Sequence, residues 1–146
     1  MKREIWLDMD GTIANLYGVD GWLEDIKNEN ARPYKVAKGL MNMQALARVL
    51  NRLNKNGYEV GIITWLAKGA TKEYNEKVAK AKREWLKKHL ATVELKKVHI
   101  VEYGTPKWTL ATDTNAILFD DEEKNRVEWK GTAYNVNNML EVLKAM

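Results

Sequence analysis

Near the start of the chain, an apolar run ends in two aspartates followed by glycine and threonine: Ile5-Trp6-Leu7 leads into Asp8-Met9-Asp10-Gly11-Thr12. Paired carboxylates at that spacing suit cation binding, nucleophilic attack or general acid–base work. Other chemically competent groups close other apolar runs. Thr64 ends Gly61-Ile62-Ile63, and Asp120-Asp121 end Ile117-Leu118-Phe119. Lys107 lies beyond the run at 97–102. If folding gathers these groups, the carboxylates repel one another, by about 4 kcal/mol per pair at roughly 4 Å and an effective dielectric of about 20. A divalent cation would remove that cost, and oxygen-only ligation completed by water and phosphate suits Mg²⁺. Lys107 would add positive charge for a phosphate or a carboxylate nucleophile. Thr64 would offer its hydroxyl and backbone N–H to phosphate oxygens.

The elements that must position these groups can be read from the hydrophobic pattern. Strands are predicted over 3–8, 58–64, 97–102, 116–120 and 132–136, as short apolar or β-branched runs bounded by turn residues. Helices are predicted from Leu40 to about Asn56, from about 72 to 90, and from about Asn138 to Lys144. Met43, Leu46, Leu50 and Leu53 share one face of the first. Gly57 follows it as a left-handed cap. In the second, Val78, Ala81, Trp85 and His89 form a stripe with Leu86 and Leu90 beside it. Residues 14–38 read as irregular, and a short or irregular crossover is expected between the third and fourth strands. Alternation of strands and helices implies a parallel sheet. Ligands of such sheets lie beyond the carboxyl ends of the strands, where the groups above stand.

Composition narrows the chemistry. The 146 residues suffice for one domain, with no repeat or linker. The absence of cysteine excludes disulfides, thiolate metal sites and cysteine nucleophiles, and His89 and His99, the only two histidines, read as structural. No stretch is apolar enough for a signal peptide or a membrane span, so a soluble cytoplasmic protein is expected. The net charge of +4 is uneven: residues 67–97 hold ten basic against four acidic residues. The pairs Glu73–Lys77, Glu76–Lys80 and Glu84–Lys88 make a solvated helix face the simpler reading, with steering of a phosphorylated ligand as the alternative.

At these residues the sequence resembles the haloacid dehalogenase-like (HAD) hydrolases. Asp8-Met9-Asp10-Gly11-Thr12 matches the family's first motif and Thr64 its second. Lys107 matches the third in placement, with Lys97 and Lys124 as alternatives, and Asp120-Asp121 the fourth. All four occur in the family's order across residues 5–125. The resemblance implies a three-layer α/β/α Rossmann-like fold with a central, mainly parallel sheet. It implies a single phosphatase domain over 1–146, with 15–38 as a flap or minimal cap. Asp8 would be the nucleophile and Asp10 the general acid and base. Mg²⁺ would be held by Asp8, by the Asp10 backbone carbonyl and by an acid of the fourth motif, Asp121 in preference to Asp120. Thr64 and Lys107 would hold the phosphoryl oxygens.

An EF-hand reading of Asp8 and Asp10 fails, because its fifth and sixth positions would be Thr12 and Ile13. The substrate is a separate question. Tyr17, Trp22 and Tyr34, with Lys35 and Lys38 nearby, could stack on a base and contact phosphate; the simpler alternative is that the aromatics pin the flap. The sequence after Thr64 is similar to the 5′(3′)-deoxyribonucleotidases in its loop, in the helix bearing Lys82-Arg83-Glu84-Trp85-Leu86 and in the paired aspartates of the fourth motif. It departs from them at Trp65-Leu66, where Trp65 becomes a further substrate contact. A small phosphorylated substrate, a nucleoside monophosphate first, is therefore expected. A nucleic-acid end, as in the phosphatase half of polynucleotide kinase-phosphatases, and another phosphorylated metabolite stay open. So does a non-catalytic phosphate- or nucleic-acid-binding module, against which the Asp8/Asp10 pair argues.

Overall fold

The computed structural model describes residues 3–146. Five strands form one sheet: β1 (Arg3–Leu7), β2 (Tyr58–Trp65), β3 (Lys97–Val101), β4 (Ile117–Phe119) and β5 (Thr132–Tyr134). Their order is β3-β2-β1-β4-β5, and every neighbouring pair is parallel. Register places Leu7 opposite Ile62 on one side and Phe119 on the other. Chain order reverses at β1, with β2 on one side and β4 on the other. The loops leaving these strands diverge there and open a crevice at their carboxyl ends.

Six helices connect and cover the sheet: α1 (Trp22–Lys27), α2 (Arg32–Val36), α3 (Met43–Lys55), α4 (Lys72–His89), α5 (Glu123–Glu128) and α6 (Met139–Ala145). Alternation along the strands divides the core. Ile5, Leu7, Val60, Ile62, Ile117 and Phe119 pack with Leu46, Leu50 and Leu53 of α3, Trp85 and Leu86 of α4, and Leu143 of α6. Trp6, Ile63 and Leu118 face the other way, towards Ala116 and Trp129. The result is the expected three-layer α/β/α arrangement with a wholly parallel sheet. Among the described residues no helix is long and apolar enough to cross a membrane.

Local chemistry sets the ends of the two long helices. The Asn42 side chain accepts from the Ala45 N–H at 3.0 Å to start α3, and Thr71 accepts from the Tyr74 N–H at 3.2 Å to start α4. The segment read as irregular contains α1 and α2, of six and five residues. It packs on α4 through Leu16, Ala31 and Tyr34 against Tyr74, Val78 and Ala81. Polar ties reinforce the contact: the Tyr74 hydroxyl donates to the Asn30 carbonyl at 3.1 Å, and the Trp85 indole donates to the Ala37 carbonyl at 2.7 Å. The connection between β3 and β4 carries a single 3₁₀ turn, Lys107–Leu110, as its irregular pattern implied. Helix α5, between β4 and β5, was not legible in the pattern.

Candidate active site

β1 delivers Asp8 to the crevice, where the Asp8 N–H donates to the Phe119 carbonyl at 3.0 Å. The chain then turns tightly, and the amides of Thr12, Ile13 and Ala14 all donate to the Met9 carbonyl. Gly11 makes this turn with φ of 81°, and a Cβ there would lie 2.3 Å from Asp121 Oδ2, so both conformation and space call for glycine. β2 delivers Thr64 and Trp65, while β4 delivers Asp120 and Asp121. The 3₁₀ turn after β3 swings Lys107 inward.

These parts meet in a cleft of about 210 Å³. Lys107 Nζ donates to Asp8 Oδ1 and to Asp120 Oδ2, each at 2.8 Å. Burial alone would push the Lys107 ammonium down, but Asp8 and Asp120 outweigh it and hold its pKa above the usual lysine range. Lys97 starts β3 and Lys124 lies in α5, both exposed; Lys107 is the lysine on Asp8. Fully buried Thr12 donates to Asp8 Oδ2 at 3.0 Å and accepts from the Asp121 N–H at 3.2 Å.

Carboxylate oxygens of Asp8, Asp120 and Asp121 lie within 4.8 Å of one another. Burial, and then repulsion from Asp8, raise the pKa of Asp120, and the same causes push Asp121 up to about 7. The two are not equivalent. Asp120 is enclosed, accepting from Lys107, from the Asn125 side chain at 3.0 Å and from the Glu122 N–H at 2.9 Å. Asp121 is half-buried, with the Thr12 hydroxyl 3.4 Å from its Oδ1. The Asp10 carboxylate is outside this cluster and turns to Lys82 instead, which leaves Asp10 its backbone carbonyl to offer a cation. Four carboxylates thus face two ammonium groups, a deficit of two positive charges. A hard divalent cation fits both that deficit and an all-oxygen donor set.

The structure also brings in a residue that motif reading missed. Lys82, inside α4 and with a side chain 1% exposed, donates to Asp10 Oδ2 at 2.8 Å, Thr64 Oγ1 at 2.6 Å and the Trp65 carbonyl at 2.8 Å. Its signal was present: it stands four residues after Val78 and four before Leu86, on the buried stripe.

Above this polar floor the cleft is aromatic. Tyr17, Trp22, Tyr34, Trp65 and Tyr103 line it, with Lys68 at Tyr103. Tyr17 and Trp22 meet edge to face at 5.0 Å, and Trp65 lies 4.8 Å from Tyr103 with its indole donating to the Thr105 carbonyl. Burial, and then the nearby Asp10 and Asp121, raise the pKa of the Tyr17 phenol. Lys35 and Lys38 are exposed and do not line the cleft, so residues 15–38 supply rings but not the cations expected with them.

No protein-family model matches the chain, and no curated protein matches it. Among solved structures, a D,D-heptose 1,7-bisphosphate phosphatase from Burkholderia Thailandensis superposes with a TM-score of 0.56 over 90% of this chain and 75% of its own, at 16% identity. The chain has the haloacid dehalogenase-like fold. At 16% identity the likeness is one of fold, and it agrees with the order of motifs along the sequence.

Proposed function

We propose that the protein is a Mg²⁺-dependent phosphomonoester hydrolase working through an aspartyl-phosphate at Asp8. The observation that carries this reading is the buried Asp8 carboxylate, held on one oxygen by Lys107 and on the other by Thr12, and flanked by Asp121. A carboxylate fixed in this way, with a second one two residues on, is built to attack and to move a proton. An Asp8 oxygen bonds to phosphorus while the bond from phosphorus to the ester oxygen breaks. Asp10 gives its proton to the departing oxygen, then accepts one from the water that hydrolyses the acyl phosphate. Thr64 and Lys107 hold phosphoryl oxygens. Mg²⁺ would be held by Asp8, Asp121 and the Asp10 backbone carbonyl, with Asp120 behind them, and would offset the charge of the phosphoryl group.

The aromatic lining favours a nucleoside monophosphate, whose base can stack between Tyr17, Trp22 and Trp65. The structural likeness to a heptose bisphosphate phosphatase favours a second reading, a phosphorylated sugar. A panel of nucleoside monophosphates, sugar phosphates and 5′- and 3′-phosphorylated DNA ends, assayed with Mg²⁺ and with EDTA, tests both. Turnover should require Mg²⁺, favour nucleotides, and fall on the order of 10³-fold or more in Asp8→Asn. Equal activity of wild type and Asp8→Asn, or inertness of both across the panel, overturns the hydrolase. Preference for sugar phosphates overturns the nucleotide reading alone.

A further inference from the structure

Lys82 is a buried ammonium inside a helix, and all three of its donors are spent on site groups. Burying an ammonium is unfavourable unless it is fully paired, so such a lysine needs a reason to be there. Its partners supply one. Asp10 Oδ2, Thr64 Oγ1 and the Trp65 carbonyl come from the ends of β1 and β2 and converge on a single Nζ, 5.3 Å from the Tyr34 ring. The contact uses one Asp10 oxygen and leaves Oδ1 for the cleft, where the Asp10 side chain keeps 19% of its exposure. At Thr64 the ammonium takes up a lone pair of the hydroxyl. The hydroxyl proton is thereby turned away from Lys82 and is free to donate to a bound oxyanion.

We infer that Lys82 is a positioning residue that fixes Asp10 as a one-oxygen proton carrier and Thr64 as a hydrogen-bond donor. This rests on the phosphatase reading and deepens it. Lys82 does not touch the reacting atoms; it acts through Asp10 and Thr64. The proton it helps to place is the one that passes from Asp10 to the departing ester oxygen. An ester with a poor leaving group depends on that proton, and p-nitrophenyl phosphate hardly does.

The test is leaving-group dependence of kcat/KM at saturating Mg²⁺, from p-nitrophenyl phosphate through phenyl phosphate to alkyl phosphates. In a mechanism with a phosphoenzyme, kcat/KM reports the steps up to its formation and excludes its hydrolysis. Wild type should show a shallow dependence. Lys82→Met should steepen it, losing on the order of 10²-fold for alkyl esters and under about tenfold for p-nitrophenyl phosphate, the size expected of a displaced general acid. Lys82→Arg, which keeps the charge, should be less steep than Lys82→Met. Should Lys82→Met fail to fold by circular dichroism, Lys82→Arg carries the test alone and should still be steeper than wild type. A uniform loss across the series, or no change in slope, overturns the inference while leaving the phosphatase intact. If the wild type hydrolyses neither these esters nor any substrate of the panel, the phosphatase reading falls and takes the inference with it.

Discussion

Lys107 and Lys82 are two buried lysines with different visibility in sequence. Lys107 was legible because the motif order calls for a cation between the second and fourth strand ends, with a phosphate or the carboxylate nucleophile as its expected partner; the pairing with Asp120 comes from the structure. Lys82 was hidden by its neighbours. The Glu-to-Lys pairs along residues 73–88 imply a solvated face, and a lysine at a core position of such a helix is read with the rest. Asn125 and Thr12 were equally invisible as supports, since nothing in their spacing shows which carboxylate they meet. Lys107 carries the sharper residue-scale prediction. It neutralises two buried carboxylates at 2.8 Å each, so Lys107→Met leaves both without their counter-ion. Removing one partner of a buried ion pair costs about 3–5 kcal/mol. Urea unfolding without Mg²⁺ should show a loss of that order, and adding Mg²⁺ should recover more stability in the variant than in wild type. A loss under about 1 kcal/mol would mean that Asp8 and Asp120 are not held by this lysine.

Element by element, the long periodic segments were legible and the short ones were not. All five strands and helices α3, α4 and α6 lie where the hydrophobic pattern puts them, within a residue or three at each end. α1, α2 and α5 have at most six residues, too few for a 3.6-residue repeat to emerge, and they are held by tertiary contacts instead. A similar long-range tie closes the sheet far from the cleft. Glu4 on β1 is buried and accepts from the Trp6 indole at 2.9 Å, the Thr112 hydroxyl, and the amides of Thr112 at 3.1 Å and Asp113 at 3.3 Å. Burial alone would raise its carboxyl, but these donors outweigh it, and the pKa falls below the ordinary 4.5. A carboxyl depressed on folding contributes stability above its unfolded pKa and loses that contribution as pH falls through the folded value. Glu4→Gln should therefore cost about 1–3 kcal/mol at pH 7. The deficit relative to wild type should shrink as urea melts are repeated below the ordinary 4.5. A deficit that is constant with pH would remove the charged form of Glu4 from the account.

Across the whole molecule, the topology decides which of the many cations can matter to an anionic substrate. Of the ten basic residues between 67 and 97, only Lys82 is buried. Lys68 lines the cleft beside Tyr103. Helix α4 begins just after this loop and runs for 18 residues. Counted from Lys82, whose Nζ reaches the site, Lys87 and Lys88 lie five and six residues further along α4, roughly 8–9 Å at 1.5 Å per residue, and both are exposed. That offset is about one Debye length of about 8 Å at physiological salt, and with both side chains in solvent their field at the crevice is weakened. The excess positive charge that invites a steering interpretation is then mostly the solvated outer face of α4, and Lys68 is the exposed cation able to guide a phosphate in. The two interpretations separate by charge reversal. With kcat/KM measured on the best substrate of the panel, Lys87→Glu combined with Lys88→Glu should change it by less than about twofold at physiological salt. Lys68→Glu should lower it several-fold, through KM more than kcat, and the effect should fade as salt is raised. A loss on reversing Lys87 and Lys88 as large as that on reversing Lys68 would restore the helix face as a steering surface and point to a substrate long enough to reach it.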